Sequence, residues 1–462
     1  DGRARILRDP CGGVPCYFIA VENGFLFSSD ARSLLELAGL RPAIDRDSLA
    51  LALRFSDLRS ERTSLEGVCE LLPGQICELV QGSPPRLSTP WINKRWQSTG
   101  ENPATDVRRA VVESVRYAIQ GSSSPLIQLS GGLDSAIVAA SARLLGAEVG
   151  AVNLVTPATE GDERSFARAV AERLGLDLHE RTVRVEEVDV LTSQAAFLPR
   201  PTHRLFAQSM DNMVQKTAAA FGHDAILTGG GGDSVFSYLL PGFATADRLS
   251  RLDLVSAAST ALDEAAIDQV SAWRVLRLAL EHIFASRHWR SSNSFLSRDI
   301  LSLHPPWNPW LHACRSWPPG KRAHMAALVT IHNYVDCFGE MSVPVCFPLL
   351  HRPVLDACLA VPARAWVERG WNRAVARQAF SDVLPEAIIR RRSKGTYERF
   401  TAEVFERNRA AIRDHLLGGV LRELEILDIQ ALEAWFASQQ PLRSNRMLAL
   451  TEAESWCRHW AG

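Results

Sequence analysis

Two glycine-rich segments that each contain an aspartate have the residue types best suited to chemistry: Ser130-Gly-Gly-Leu-Asp-Ser135 and Thr228-Gly-Gly-Gly-Gly-Asp233. Glycine lets backbone N–H groups approach an anion with no Cβ in the way, and the hydroxyls of Ser130 and Ser135 add donors. Phosphate suits such a loop where it opens a helix, because free N–H groups and the helix dipole favour negative charge there. No lysine follows the glycines, so this is not a Walker A loop. Asp134 would repel a polyanion unless a cation lay between them. Mg²⁺, typically held by one or two carboxylates with phosphate oxygens and waters, removes that conflict. Ser130, Gly131, Gly132, Asp134, Ser135, Gly231 and Gly232 are therefore candidates for holding a pyrophosphate unit, and Asp134 and Asp233 for holding the metal. The alternative for the first segment is a strand-to-helix turn capped by Asp134 and Ser135; for the second, a flexible loop with a capping aspartate.

The flanking residues must place both loops at one edge of a sheet. The stretches 126–129, 149–155, 178–185 and 225–228 read as strands, the first and last of them apolar, and residues 103–120, 135–145, 162–174 and 206–221 as helices. In the third of these helices Phe166, Ala169, Val170 and Leu174 share a face. Such alternation with short connections predicts a parallel sheet with helices on both faces, and ligands bind such sheets beyond the carboxyl ends of the strands. The first hundred residues read as β-rich, with a hairpin turning at Asn23-Gly24, a helix at 31–38 and a strand at 75–80. Beyond residue 240 the pattern is mostly helical, broken by the Pro- and Trp-rich stretch 304–319. The expected organisation is a β-rich domain over 1–100 and a second domain over 101–462, divided into an α/β core (101–240) and a mainly helical part (241–462).

The 462 residues carry 51 basic and 52 acidic side chains, a formal charge of −1, which excludes a whole-protein electrostatic drive toward nucleic acid or anionic membrane. Nine cysteines include no CxxC pair, and no apolar run reaches the roughly 18 residues of a membrane span, so a cytoplasmic protein with reduced thiols is expected.

The first glycine segment resembles the SGGxDS pyrophosphate loop of ATP pyrophosphatase-type enzymes, and its surroundings resemble the asparagine synthetase superfamily. Arg8-Asp-Pro10, Phe27-Ser-Ser-Asp30, Asp162-Glu163, Gly232-Asp233, Phe347-Pro-Leu-Leu350, Leu384-Pro385 and Arg392-Ser-Lys-Gly395 follow in that family's order. The resemblance implies an α/β architecture: an N-terminal β-rich, degenerate Ntn glutaminase-like domain, then an adenine-nucleotide α-hydrolase-like parallel-sheet synthetase domain with a helical C-terminal part. It implies ATP with adenine near Leu129 and Val155, Mg²⁺ on Asp134 and Asp233, and attack of a substrate carboxylate on the α-phosphorus. An amine then displaces AMP to form an amide. Lys394 matches the lysine that such synthetases place beside the reacting carbonyl, where a fixed cation stabilises developing negative charge.

Several positions depart from the asparagine synthetases. The glutaminase cysteine of the mature N-terminus has no counterpart at Asp1, with Cys11 and Cys16 further along. The second glycine loop lacks the two glutamates of GEGxDE. Pro344 falls where a VEARVP-type segment carries its glutamate, with Glu340 as a substitute upstream. These departures resemble the ring-closing branch, β-lactam synthetases and more closely lasso peptide macrolactam synthetases. The implied activity is adenylation of an Asp or Glu side chain of a precursor peptide and closure by its N-terminal amine. A leader peptidase and a leader-binding protein are implied partners. The competing readings are an asparagine synthetase using glutamine or ammonia, a β-lactam synthetase-like ligase, and a non-catalytic ATP-binding scaffold. The stretch 304–319 is a candidate peptide-tunnel wall, with ordinary packing the alternative. The segment Arg200-Pro-Thr-His203 is a second candidate substrate contact.

Overall fold

The computed structural model describes residues 3–22, 24–92, 96, 102–156, 162–284, 289–392, 395–438 and 444–462. The N-terminal region contains two small antiparallel sheets. Strands β1 (Arg3–Leu7), β5 (Ile76–Val80) and β6 (Arg86–Ser88) form one in the order β1-β5-β6; β2 (Tyr17–Val21), β3 (Gly24–Ser28) and β4 (Cys69–Glu70) form the other in the order β3-β2-β4. The hairpin expected from the sequence is β2 and β3, although Asn23 of its turn lies outside the described residues. Helix α1 (Ala31–Ala38) starts where the Asp30 carboxylate accepts from Ser33 N and stops at Gly39, which is left-handed at φ 67°. Helix α2 (Arg46–Arg54) follows.

The central sheet contains β7 (Pro125–Gln128), β8 (Gly150–Val155), β9 (Asp177–Thr182), β10 (Ala225–Thr228) and β11 (Val345–Cys346), all parallel, in the order β11-β10-β7-β8-β9. Alternate residues of its strands enter different cores. Ile127, Ala151 and Leu227 pack with α3 (Pro103–Ile119), α4 (Leu133–Leu144) and α5 (Arg164–Leu174), whereas Leu126, Val152 and Ile226 pack with α6 (Gln208–Phe221). Both faces of β7, β8 and β10 are thus buried, which is why these strands read as short apolar runs, whereas the edge strand β9 (Asp177–Thr182) is polar and part-exposed.

Two details differ from the sequence reading. The fifth strand, β11, lies inside the stretch read as helical, its start marked by Ile226 N donating to Pro344 O at 2.8 Å. In α5 the buried face is Ala167, Val170, Ala171 and Leu174, one position round from the expected one. Phe166 instead lies partly exposed beneath the Arg391 guanidinium, 3.9 Å from its ring centroid, a cation–π contact that its apolar character did not signal.

The N-terminal region is fastened to the synthetase part by a buried ionic cluster. Arg8, Arg59 and Arg200 surround Glu70, and Arg59 and Arg8 also reach Asp336 at 2.5 and 3.4 Å. Asp336 ends the helix Pro319–Val335, which carries Thr330, Ile331 and Tyr334 to the site described below. Burial would push the Glu70 carboxyl up, but Arg200, Arg59 and Arg8 hold it down at about 2. A second apolar core joins Tyr17, Leu34, Leu49 and Leu53 to Phe400, Phe405, Leu450, Trp456 and Trp460 of the C-terminal helices, so the two ends of the chain share one interior. No helix among the described residues is long and apolar enough to cross a membrane, and all nine cysteines are free.

Candidate active site

The chain winds from β7 through β8 to β9, then returns to β10 on the other side of β7, so the order reverses between β7 and β10. Thr228 pairs with Gln128 at the carboxyl ends of these neighbouring strands, and the two glycine loops leave the sheet at the same level. A reversal of this kind opens a crevice at the sheet edge. The cleft there has a volume of about 540 Å³ and includes Ser130, Asp134, Gly232 and Asp233 in its walls.

The first loop is held by its own serines. Ser130 N donates to Ser135 Oγ at 3.2 Å, the two hydroxyls lie 3.1 Å apart, and Gly132 N donates to Ser130 Oγ at 3.3 Å. Gly131 is left-handed at φ 77°, and a Cβ on it would stand 2.9 Å from Glu163 O. Gly132 caps α4 without a side-chain bond, so Asp134 is not the helix cap that the alternative reading required. The first turn of α4 therefore keeps its N-terminal dipole facing the cleft.

The second loop fits against the first because it lacks side chains. A Cβ on Gly229 would lie 2.7 Å from the Asp134 carbonyl carbon, and one on Gly232 would overlap the Asp134 side chain. Gly231 is left-handed at φ 84°, and a Cβ there would strike Leu350. This packing brings Asp134 and Asp233 together: both accept from Nη1 of Arg373, at 3.0 Å to each Asp134 oxygen and 2.8 Å to Asp233. Burial opposes the charge on Arg373, but Asp134 and Asp233 outweigh it and raise its pKa.

The third wall is the segment after residue 385. Arg391 donates to Gly131 O at 2.8 Å and pairs with Glu163, which also accepts from Gly395 N at 3.0 Å. Arg377 braces this segment by donating to the carbonyls of Ile388, Ile389 and Arg391 at 3.3, 2.6 and 3.1 Å. Burial, and then the neighbouring Arg373, pulls the Arg377 pKa down to about 10. Lys394 lies outside the described residues; Arg391 and Gly395 on either side of it line the cleft. Across the cleft, Arg204 pairs with Asp211 at 2.6 Å and lies over the ring of Tyr334, 4.5 Å from its centroid. Burial pushes the Asp211 carboxyl up against the pull of Arg204.

Two further chambers share walls with the cleft. One of about 420 Å³ shares Phe206 and Tyr397 with it, and one of about 270 Å³ shares Arg204, Thr330 and Tyr334. These two chambers share Ser56 and His203 with each other.

Of the residues expected from sequence, Ser130, Gly132, Asp134, Ser135, Gly231, Gly232 and Asp233 line one cleft. Gly131 stands behind it, with its carbonyl engaged by Arg391. Leu129 and Val155 are not part of its walls. Leu129 is fully buried in the core, with N bonded to Val152 O and its carbonyl to Asn153 Nδ2, and Val155 is buried at the end of β8. Glu340 is exposed and also lies off the cleft, whose carboxylates beyond the aspartate pair are, among the described residues, Glu163 and Asp211. In the stretch 304–319, Trp310 is core: its indole donates to Pro73 O at 2.8 Å and packs on Trp91 and His332. Arg200 pairs with Glu70 in the ionic cluster and also lines the chamber of about 270 Å³ together with Pro201, Thr202 and His203; His203 lines the other chamber as well. The sequence reading missed Arg373, Arg377, Arg391, Arg204 and Asp211. Among 51 basic residues, all but four of them arginine, residue type carried no signal.

The donor set fits a magnesium–triphosphate unit. Two carboxylates share one cation position, a helix N-terminus faces the cleft, and the buried Nε of Arg373 has no acceptor among the described residues.

The family model described as Asparagine synthase matches residues 106–461, and that described as Glutamine amidotransferase domain matches residues 1–89. The chain is 27% identical over 309 residues to the carboxyethyl-arginine beta-lactam-synthase of Streptomyces clavuligerus, covering 65% of this chain and 54% of that protein. The chain thus spans about half the length of this curated relative.

Proposed function

The chain belongs to the asparagine synthase family, and we propose that it is an ATP-dependent amide-forming ligase that releases AMP and pyrophosphate. The observation that carries this reading is the meeting of Asp134 and Asp233 on one cation position at the strand-order reversal, beside a loop whose glycines leave room for phosphate. A carboxylate oxygen of the substrate attacks the α-phosphorus of ATP, and the bond to the β-phosphate oxygen breaks. An amine then attacks the acyl carbon, the C–O bond to AMP breaks, and the amine gives up a proton. Bound Mg²⁺ would draw charge from the phosphates. Asp134 and Asp233 would hold it, Glu163 pairs with Arg391 and accepts from Gly395 N, residues on either side of Lys394 in sequence, and Lys394 would stabilise the developing oxyanion. Asp211, a cleft carboxylate outside the metal pair whose pKa burial raises, would receive the amine proton.

For the substrate, we infer a precursor peptide whose Asp or Glu side chain is joined to its own N-terminal amine. The support is the space beside the nucleotide cleft: two chambers of about 420 and 270 Å³, which share wall residues with it, exceed what a single amino acid requires. Holding the folded-back peptide makes ring closure a positioned unimolecular step. A leader peptidase and a leader-binding protein belong to this reading as partners. The relative's name supports a second reading, closure of a small β-lactam ring. Incubation with ATP, Mg²⁺ and candidate substrates separates them. A peptide that loses one water with stoichiometric pyrophosphate release supports the cyclase. Water loss from a β-amino acid alone supports the second reading, and free asparagine formation would overturn both.

A further inference from the structure

We propose that Arg373 is the resident counter-cation of the metal position, a positioning residue that holds Asp134 and Asp233 together and yields them to a divalent ion arriving with the nucleotide. The inference rests on the reading of those two aspartates as metal ligands.

Three observations carry it. First, a single nitrogen, Nη1, donates to both carboxylates, at 3.0 and 3.0 Å to Asp134 and 2.8 Å to Asp233, so one point between them already holds positive charge. A divalent ion bridging the same oxygens would have to take that point, because two cations cannot share it. Second, Arg373 is held in the left-handed region at φ 51° and ψ 33°, between the short strand Trp371–Asn372 and the helix Ala374–Ala379. A non-glycine residue keeps such a backbone only when its surroundings impose it, and such residues gather at ligand clamps. Third, Nε of the same guanidinium is buried with no acceptor among the described residues, although the side chain lies in the wall of the cleft. A donor left this way in an otherwise bonded guanidinium fits an anionic ligand, and a phosphate oxygen supplies one.

The two carboxylates also explain why displacement needs the nucleotide. No group of three or more His, Cys, Asp or Glu side chains among the described residues is arranged to hold a metal. Mg²⁺ takes six oxygens, so most of its ligands must come from phosphates and water. Free metal therefore competes poorly with Arg373, whereas metal bound to a triphosphate brings its own ligands and a partner for the released guanidinium.

The test is Mn²⁺ binding, followed by electron paramagnetic resonance on the full chain without nucleotide. Arg373→Met is expected to bind Mn²⁺ more tightly than the wild type by on the order of tenfold, because the competing charge is gone. Its melting temperature should also rise more with Mn²⁺ than that of the wild type. Where the methionine variant is too unstable to purify, Arg373→Gln keeps a donor for the carboxylates without the charge, and the same gain is expected. With ATP added, the difference between wild type and variant should shrink. Equal Mn²⁺ affinity of wild type and variant without nucleotide overturns the proposal and makes Arg373 a permanent structural bridge. Absence of Mn²⁺ binding to any of these proteins even with ATP overturns instead the assignment of Asp134 and Asp233 as metal ligands.

Discussion

Gly232 packs so closely on Asp134 that a methyl group at its Cα would overlap the carboxylate of the aspartate. The backbone of Gly232 is not left-handed, so a substitution there tests space alone. Gly232→Ala should destabilise by about 1–3 kcal/mol through overpacking. It should also reduce ATP–pyrophosphate exchange much more than the stability loss explains, because the displaced carboxylate no longer meets Asp233. Urea melts and exchange rates on the same preparation check this.

Asp134→Ala and Asp233→Ala should each lower substrate-dependent pyrophosphate release on the order of a hundredfold or more, as loss of a principal electrostatic group does. Both variants should still fold, and their circular dichroism should match the wild type. Ring or amide formation at the normal rate by either variant would remove the metal assignment.

Lys394→Ala should damage the second half-reaction more than the first. Single-turnover quenching is expected to show pyrophosphate released while the acyl-adenylate accumulates. A variant that turns over fully would take Lys394 out of the mechanism.

Arg391→Ala and Glu163→Gln remove two sides of one junction, in which Glu163 accepts from both Arg391 and Gly395 N. Each should slow the reaction, and the double variant should lose little beyond the worse single one, since residues in one network are not additive. A fully multiplicative loss would show that they act separately.

Glu70 links stability to acid. Its folded pKa is held near 2, below the ordinary value of 4.5, by Arg200, Arg59 and Arg8 against the push of burial. A depressed carboxylate contributes stability that is complete above the unfolded pKa and is lost as pH falls from about 4.5 toward 2. Glu70→Gln should cost about 3–5 kcal/mol at pH 7, because three buried guanidinium groups lose their shared partner. The decline of stability below pH 4.5 should be shallower in the variant. Urea midpoints at pH 7 and pH 3.5 read both effects.

Much of the sheet was legible because β7, β8 and β10 are short apolar runs and its helices carry 3.6-residue periodicity. What escaped lacked a local pattern. Strand β11 is two residues long and is set by pairing with Ile226 and Leu227, far away in sequence. The expected face of α5 differs from the buried one at Phe166, which packs on the edge of the core and at the same time serves as a platform for the distant Arg391. Glu340 was preferred for being close in sequence to Pro344, whereas the carboxylates Glu163 and Asp211 reach the cleft from the far side of the fold.

The amino-acid order alone determined that two glycine turns, each ending a buried strand, could receive phosphate, because backbone sterics and hydrophobic period depend on neighbouring residues. It also determined that an aspartate beside each turn would call for a cation. Only the tertiary structure decided that β10 lies against β7 in matched register, that Arg373 bridges the two carboxylates, and that Arg391 is bonded to the first loop. Those outcomes depend on strand order and on charges brought together from more than a hundred residues apart, which packing of the whole sheet settles and no local pattern encodes.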